Sequence, residues 1–331
     1  MISPGAPMSP RSLRGIVPAL ITPLDADGHV DDVSVEALVE FQVAAGVHGL
    51  LILGSTGEGP LLPLEDKLRL VRATVQAARG RLPVMVGIAH SSPAESVAFG
   101  TQAHAAGANA LVTTPPFYFL STQAELIGYF RYLRARLELP LLTYDVPSAV
   151  KTKIAAATVG SLADEGLIIG IKDSSGDLAG FRDTVIATQH LPDFRAFTGS
   201  EQYVDAAMLV GGHGGVLGLA SVIPRVYVEI YDAVCAGDWT RANELQQRAI
   251  AALQMIHVGS SGGSLTAAAI GSFKLALRDM GVIRTATVSS PLQPLEDIEE
   301  RRVREIMARV GIGAAASIDE AGALGAAGTR A

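Results

Sequence analysis

From Gly15 onward, short apolar runs alternate with amphipathic segments that have helical spacing. Eight such strand–helix units fit within about 220 residues, and no linker interrupts them. Regular alternation favours a parallel sheet, and eight units in this length are typical of a (β/α)8 TIM barrel. A doubly wound open sheet is the runner-up. However, neither Gly54–Gly59 nor Gly211–Gly215 fits the dinucleotide fingerprint that should follow its first strand.

The apolar runs predict strands at 15–22, 48–53, 84–88, 110–113, 141–144, 167–171, 194–198 and 215–217. Helical spacing predicts helices at 33–45, 64–78, 93–106, 123–137, 154–163, 178–190, 202–210 and 224–236. Three more helices, at 239–256, 265–279 and 295–310, form a C-terminal appendage. We therefore divide the chain into a flexible N-terminal arm (1–14), the barrel (15–237), a C-terminal helical region (238–310) and a flexible tail (311–331).

Composition excludes several classes of function. Hydrophobic residues make up 49% of the chain and charged residues 18%, which suits a large core. The net charge of −7 and the lack of a basic block argue against nucleic acid and anionic membranes as partners. No apolar stretch approaches the roughly 20 residues that span a bilayer. The single cysteine, Cys235, excludes an internal disulfide and fits a reducing cytoplasm. The seven histidines show no metal-binding spacing, so we predict no metal site.

Lys172 follows the apolar run Leu167–Ile171, which reads as a strand buried on both faces. It is one of five lysines in the chain and the only one that ends a buried strand. Because a charged ammonium is costly to bury, such a position favours a neutral amine that can attack a ketone. The alternative is a structural ion pair with Asp173 or Asp177, and the strand alone does not decide between them.

The ends of the neighbouring strands carry further candidates. Gly54–Glu58 is a Gly-rich turn whose backbone N–H groups could hold a carboxylate, although it could equally be a tight turn in which Glu58 caps the next helix. Tyr144 ends the strand that precedes Lys172, so the two side chains can meet over the barrel mouth. A tyrosine there could also be simply packed. Pro115–Phe119 is an aromatic loop that suits an interface, and we assign His213 a structural role in its Gly-rich turn.

In combination these motifs resemble the dihydrodipicolinate synthase / N-acetylneuraminate lyase family of pyruvate-dependent class I aldolases. The resemblance covers about residues 15–310. It rests on Gly54–Glu58, Tyr144–Pro147 and Gly170–Asp177, supported by Thr22-Pro23, Pro115–Tyr118, Thr198–Glu201 and Gly211–Gly214.

The resemblance implies roles for particular residues. Lys172 would form a covalent imine with pyruvate or another 2-keto acid, so no separate cofactor is expected. Tyr144 would be the general acid/base, and Thr56 would relay protons between Tyr144 and Tyr118. In the family Tyr118 reaches the neighbouring subunit's site, which implies a homotetramer built as a dimer of dimers. The substrate-binding residues would be Ser55, Thr56, Gly199 and Val216, with the Val216 carbonyl near the lysine amine.

Three departures from the family pattern concern the second substrate. Dihydrodipicolinate synthases hold its carboxylate with an arginine, but Ala149 occupies that position here. The usual asparagine after the tyrosine is Asp145, which should put a negative charge near the mouth. The acidic pair of sialic-acid lyases is only partly kept, as Glu201 and Gln202.

We therefore expect a cytoplasmic Schiff-base aldolase or lyase that acts on a 2-keto acid, specifically a 2-keto-3-deoxy sugar acid, with pyruvate and an aldehyde as its other reactants. Alternatives within the family are dihydrodipicolinate synthase itself and a keto-deoxy sugar acid dehydratase. From another class, the alternative is a non-catalytic barrel that binds a keto acid.

Overall fold

A sheet of eight parallel strands lies at the centre of the computed structural model, which describes residues 1–9, 12–259 and 263–313. Strands β1 to β8 are Gly15–Pro18, Leu50–Ile52, Val84–Gly87, Ala110–Thr113, Leu141–Asp145, Gly170–Asp173, Arg195–Thr198 and Gly214–Leu217. Each strand from β2 onward pairs with the next, and β8 pairs with β1. A parallel bridge between Ala19 and Leu51 joins β1 to β2. This closes the predicted (β/α)8 barrel.

Helices lie between the strands and continue beyond them. In the described residues, α1 to α9 are Asp32–Ala44, Leu64–Ala78, Pro93–Ala105, Gln123–Arg134, Pro147–Val150, Ala156–Asp164, Leu178–Thr188, Val204–Leu209 and Pro224–Cys235. The C-terminal helices α10 to α12 are Trp239–Leu253, Leu265–Asp279 and Asp297–Val310. Short 3-10 turns lie at Gly59–Leu61, Leu219–Ser221 and Gln254–His257. In this described part no helix is both long and apolar enough to cross a membrane.

The strands are buried on both faces, as their apolar runs predicted. Val17, Leu142 and Phe197 point into the barrel and form an interior core. Ile16 and Ile171 point outward into the larger core between strands and helices. Alternation along each strand therefore assigns one residue to the interior and the next to the helix layer.

Two predicted strand boundaries were wrong in ways that matter for the site. The sixth strand was predicted at 167–171, but β6 begins at Gly170 and includes Lys172. The second was predicted to reach Leu53, but β2 ends at Ile52. Leu53 has a left-handed φ of 59°, which turns the chain out of the ladder.

The N-terminal segment, predicted to be a flexible arm, lies against the barrel. The backbone N–H groups of Ile2, Gly5 and Met8 donate to carbonyls of the barrel's helix and loop ends. Met8 and Leu13 are buried in the interior core. Their burial supplies an apolar reason for the segment to pack there. Most of the predicted flexible tail, residues 314–331, lies outside the described residues.

Candidate active site

Lys172 and Tyr144 meet inside the barrel near the carboxyl ends of β5 and β6. The two residues are register partners in adjacent strands. The Lys172 Nζ atom lies 4.3 Å from the centroid of the Tyr144 ring, and the lysine is only 4% exposed. A buried amine in contact with a phenol is the pairing that imine chemistry with proton transfer requires.

The structure argues against the alternative in which Lys172 serves a structural ion pair. Within the described residues, no carboxylate lies within 4.0 Å of its amine. Asp173 instead pairs with Lys153, and Asp177 accepts a hydrogen bond from the Gly180 N–H at the start of α7. Register explains the difference, because Asp173 follows Lys172 in β6 and therefore points to the opposite face of the sheet.

Gly199 lies directly beside the lysine, just after β7. A Cβ atom at this position would lie 2.0 Å from the Ser174 Oγ and 3.0 Å from the Lys172 Cε. Neither distance is possible without displacing these groups. Glycine at 199 therefore leaves the room that the lysine side chain occupies.

The Gly54–Glu58 loop is bent sharply at the end of β2. Leu53 and Glu58 both have left-handed backbone angles, with φ of 59° and 55°. A Cβ atom on Gly59 or Gly87 would come within 2.3 Å of the Leu53 carbonyl oxygen. Such backbone strain persists only where the surroundings hold it, and it concentrates at functional sites.

This loop has polar groups free to bind a ligand. No acceptor within the described residues is bonded to the backbone N–H of Ser55 or Thr56. Ser55 is exposed and Thr56 is half-buried. The Thr56 hydroxyl lies beside Gly218, which follows β8, so the loop faces the mouth of the barrel. Two adjacent free N–H groups suit a carboxylate.

The loop is held from behind by a buried ion pair that the sequence did not predict. The Glu58 carboxylate lies 2.5 Å from the Lys274 ammonium of α11, and both side chains are 0% exposed. Glu58 also accepts from the Ser289 N–H, and Lys274 donates to the Thr287 carbonyl at 2.6 Å. Burial lowers the pKa of Lys274, while Glu58 opposes that shift. The sequence left open that Glu58 caps the next helix, but its side chain makes no capping hydrogen bond to the 3-10 turn Gly59–Leu61 that follows it.

The negative charge expected from Asp145 does not lie at the mouth. Asp145 points away from the interior, is buried and pairs with Lys153. A signal for both missed lysines exists in the sequence. Lys274 is the sole charge in an apolar run of α11, and Lys153 follows Asp145 across one short turn. Neither pattern identifies the partner, because the partners meet only in the folded chain.

The remaining predicted residues have different surroundings. Val216 faces the interior core from β8. Tyr118 is 88% exposed with a left-handed φ of 88°, and its ring contacts Phe119 rather than the barrel site of its own chain. His213 accepts a hydrogen bond from the Ala196 N–H, which fits its predicted structural role. Ala149 is exposed in α5 at the edge of the mouth. The described residues contain no cluster of potential metal ligands.

Comparison with known proteins identifies the group to which this arrangement belongs. The profile of the Dihydrodipicolinate synthetase family matches residues 12–310. A 4-hydroxy-tetrahydrodipicolinate synthase of Aromatoleum aromaticum is 34% identical over 301 residues, which cover 91% of this chain and 99% of that protein. The corresponding enzyme of Polynucleobacter asymbioticus is 32% identical, with 87% and 91% covered.

Solved structures similar to this chain come from the same family. The dihydrodipicolinate synthase of Bacteroides thetaiotaomicron has a TM-score of 0.85 at 34% identity, over 90% of this chain and 98% of that one. A prophage protein of the dihydrodipicolinic acid synthase family from E. coli K12, solved in complex with pyruvate, has a TM-score of 0.85 at 27% identity, with 91% and 99% covered. The chain therefore belongs to the dihydrodipicolinate synthetase family.

Proposed function

We propose that the protein is a class I, pyruvate-dependent aldolase that forms its covalent imine on Lys172. The observation that carries this proposal is the buried Lys172 amine, free of any carboxylate within the described residues and in contact with the Tyr144 ring. Family membership supports it, as do the pyruvate complexes of the E. coli K12 and Acinetobacter baumannii relatives.

The proposed chemistry uses only groups of the chain and its substrates. The neutral Lys172 amine attacks the keto carbon of pyruvate, and loss of water from the carbinolamine leaves an imine. Loss of a proton from the methyl carbon then produces an enamine. Its carbon attacks an aldehyde in the condensation direction, and the same bond breaks in the cleavage direction. Hydrolysis of the final imine frees the lysine.

In this mechanism Tyr144 would move the protons of these steps. Its ring lies against the lysine amine, so its hydroxyl can serve the carbinolamine and the new hydroxyl group. The free N–H groups of Ser55 and Thr56 would hold the pyruvate carboxylate, with Gly199 and Val216 lining the reacting end. Thr56 would relay protons between Tyr144 and the Tyr118 of a neighbouring subunit.

Replacing Tyr144 with phenylalanine should leave imine formation possible but slow carbon–carbon chemistry by about 10²–10⁴-fold, the usual scale for losing a general acid/base. Steady-state rates and borohydride trapping of pyruvate would be measured on the same preparation. Trapping that persists with slow turnover fits the assigned role. Turnover at the wild-type rate would remove Tyr144 from the mechanism.

The second substrate that we favour is a 2-keto-3-deoxy sugar acid. Ala149 stands where dihydrodipicolinate synthases have a carboxylate-binding arginine. The nearby Lys153 is already engaged by Asp145 and Asp173. Without an arginine at position 149, the mouth lacks the bidentate partner that a second carboxylate would have, so an uncharged hydroxylated chain suits it better.

A second candidate is 4-hydroxy-tetrahydrodipicolinate synthase, because relatives with 34% and 32% identity over nearly their full length have that name. The deciding experiment measures pyruvate release from a panel of 2-keto-3-deoxy sugar acids and N-acetylneuraminate, with condensation of pyruvate and aspartate semialdehyde run in parallel. Lys172→Ala is the blank. Activity with the semialdehyde alone would overturn the sugar-acid assignment. Trapping without turnover of any substrate would favour the non-catalytic binding barrel.

We also propose a homotetramer in the cytoplasm. Tyr118, Phe119 and Leu120 are more than 70% exposed, and a cluster of this size on a single chain suits a subunit interface. Sedimentation of the purified protein as a monomer would contradict this. The cytoplasmic location is supported by the single cysteine.

A further inference from the structure

Two buried carboxylates lie directly behind the Lys172–Tyr144 pair. Asp145 and Asp173 follow the two residues along β5 and β6 and are register partners themselves. Both are buried, on the face of the sheet opposite the barrel interior. Two carboxylates on adjacent strands repel one another strongly when water is excluded.

Lys153 bridges these carboxylates from the loop that precedes α6. Its Nζ is hydrogen-bonded to the Asp145 carboxylate and lies 3.5 Å from the Asp173 Oδ2. The backbone on both sides of the contact is held as well. The Gln123 side chain donates to the Lys153 carbonyl at 2.9 Å, and the Ile154 N–H donates to the Asp145 Oδ1 at 3.2 Å.

Asp145 and Asp173 also hold the loops that follow β6 and β7, through hydrogen bonds to their backbone carbonyls. The Asp145 carbonyl accepts from the Ser174 N–H at 2.8 Å, and the Asp173 carbonyl accepts from the Gly199 N–H at 2.6 Å. Ser174 and Gly199, which lie close to the Lys172 side chain, are therefore tied to the backbone of this cluster. A change in the separation of Asp145 and Asp173 would move Lys172 relative to Tyr144.

The charges of the cluster sum to −1 when both carboxylates are ionised and the lysine is protonated. Burial raises the pKa of Asp145 even with Lys153 beside it, and Asp173 adds to the rise. The pKa of Lys153 is raised, because the two carboxylates outweigh its burial. Other titratable groups packed nearby are Lys172 and Tyr144 across the sheet, together with Asp177 and Tyr203. Burial and the charges of Asp173 and Asp177 raise the pKa of the Tyr203 phenol.

We infer that Lys153 is a positioning residue: it neutralises the repulsion between Asp145 and Asp173 and so fixes the spacing of Lys172 and Tyr144. This inference rests on the proposed function. It differs from a merely structural role in its dependence on pH. Since the folded-state pKa of Lys153 lies above its ordinary value, the ammonium persists throughout the neutral range and the cluster keeps its charge.

Without the lysine, the two carboxylates can keep a charge of −1 only by sharing a proton. Below the raised pKa of Asp145, this carboxyl is protonated and can hydrogen-bond to the Asp173 carboxylate. Above it, both are ionised and the strand ends are pushed apart. The activity of a Lys153→Met variant, expressed relative to wild type at the same pH, should therefore fall as the pH rises.

The test measures how fast cyanoborohydride traps pyruvate on Lys172, by intact mass, in mildly acidic and mildly alkaline buffer. Relative to wild type at the same pH, Lys153→Met should be about 10–100-fold slower in alkaline buffer, the scale of a small misplacement of reacting groups, and much closer to wild type in acid. Lys153→Arg, which keeps the charge, should rescue trapping. Lys151→Met is the matched control, because this exposed lysine only reaches the nearby Ser148 carbonyl.

The double variant Asp145→Asn/Lys153→Met restores the charge of −1 without the lysine and should recover trapping at both pH values. The double variant also tests the role of Lys153 if Lys153→Met does not fold. If the double variant folds but traps pyruvate slowly, the inference is overturned. Wild-type trapping in Lys153→Met at both pH values, or an equal loss at both, would overturn it too. Failure of the wild type to trap pyruvate would instead refute the proposed function.

Discussion

Replacement of Lys172 with alanine is expected to abolish turnover, lowering the rate by about 10⁴-fold or more, while the fold is preserved. Alanine removes the amine that forms the imine, and in the described structure no ion pair is lost with it. Because the side chain lies beside Gly199 and Tyr144 in the barrel interior, its removal leaves space rather than an unpaired charge.

Three measurements on the same preparation separate chemistry from folding. Borohydride reduction with pyruvate should add mass to the wild type at Lys172 and none to the variant. Far- and near-UV circular dichroism should coincide for the two proteins. Lys151→Ala, which removes an exposed lysine, should trap pyruvate as the wild type does. A substantial residual rate in Lys172→Ala, or pyruvate trapped on another lysine, would refute the covalent mechanism proposed for this residue.

The second large effect concerns stability. Lys274→Met should lower the free energy of unfolding by about 3–5 kcal/mol, because it leaves the Glu58 carboxylate buried without its counter-ion. Glu58 and Lys274 are both fully buried and 2.5 Å apart. The pair connects α11 to the strained loop of Ser55 and Thr56, so the KM for pyruvate should rise as well.

Equilibrium urea unfolding at a fixed protein concentration would measure the loss. The double variant Glu58→Gln/Lys274→Met should be less destabilised than Lys274→Met, since it buries no unpaired charge. Lys151→Met is the surface control and should stay within about 0.5 kcal/mol of wild type. If Lys274→Met unfolds at the wild-type midpoint, the ion pair does not anchor the loop.

Much of the barrel could be predicted because its signals are local. Helix α2 and strand β4 have the predicted bounds, since each has an unambiguous apolar period between clear turn residues. The predictions that failed are those in which local sequence signals compete with tertiary packing. Leu53 looks like a continuation of its strand, yet it adopts a left-handed conformation because the tight loop after it requires one. The N-terminal segment looks polar and mobile, yet Met8 and Leu13 close the barrel interior.

The order of residues along the chain was sufficient to bring Lys172 and Tyr144 together. Consecutive strands of a parallel barrel are neighbours, so two residues near the carboxyl ends of successive strands lie side by side. The partners of the charged groups were decided only by the tertiary structure. Glu58 and Lys274 are far apart in the sequence. Asp145 reaches Lys153 only because alternation along β5 points its side chain outward from the barrel. Periodicity encodes which face a residue takes, whereas pairing between buried charges depends on where remote elements pack.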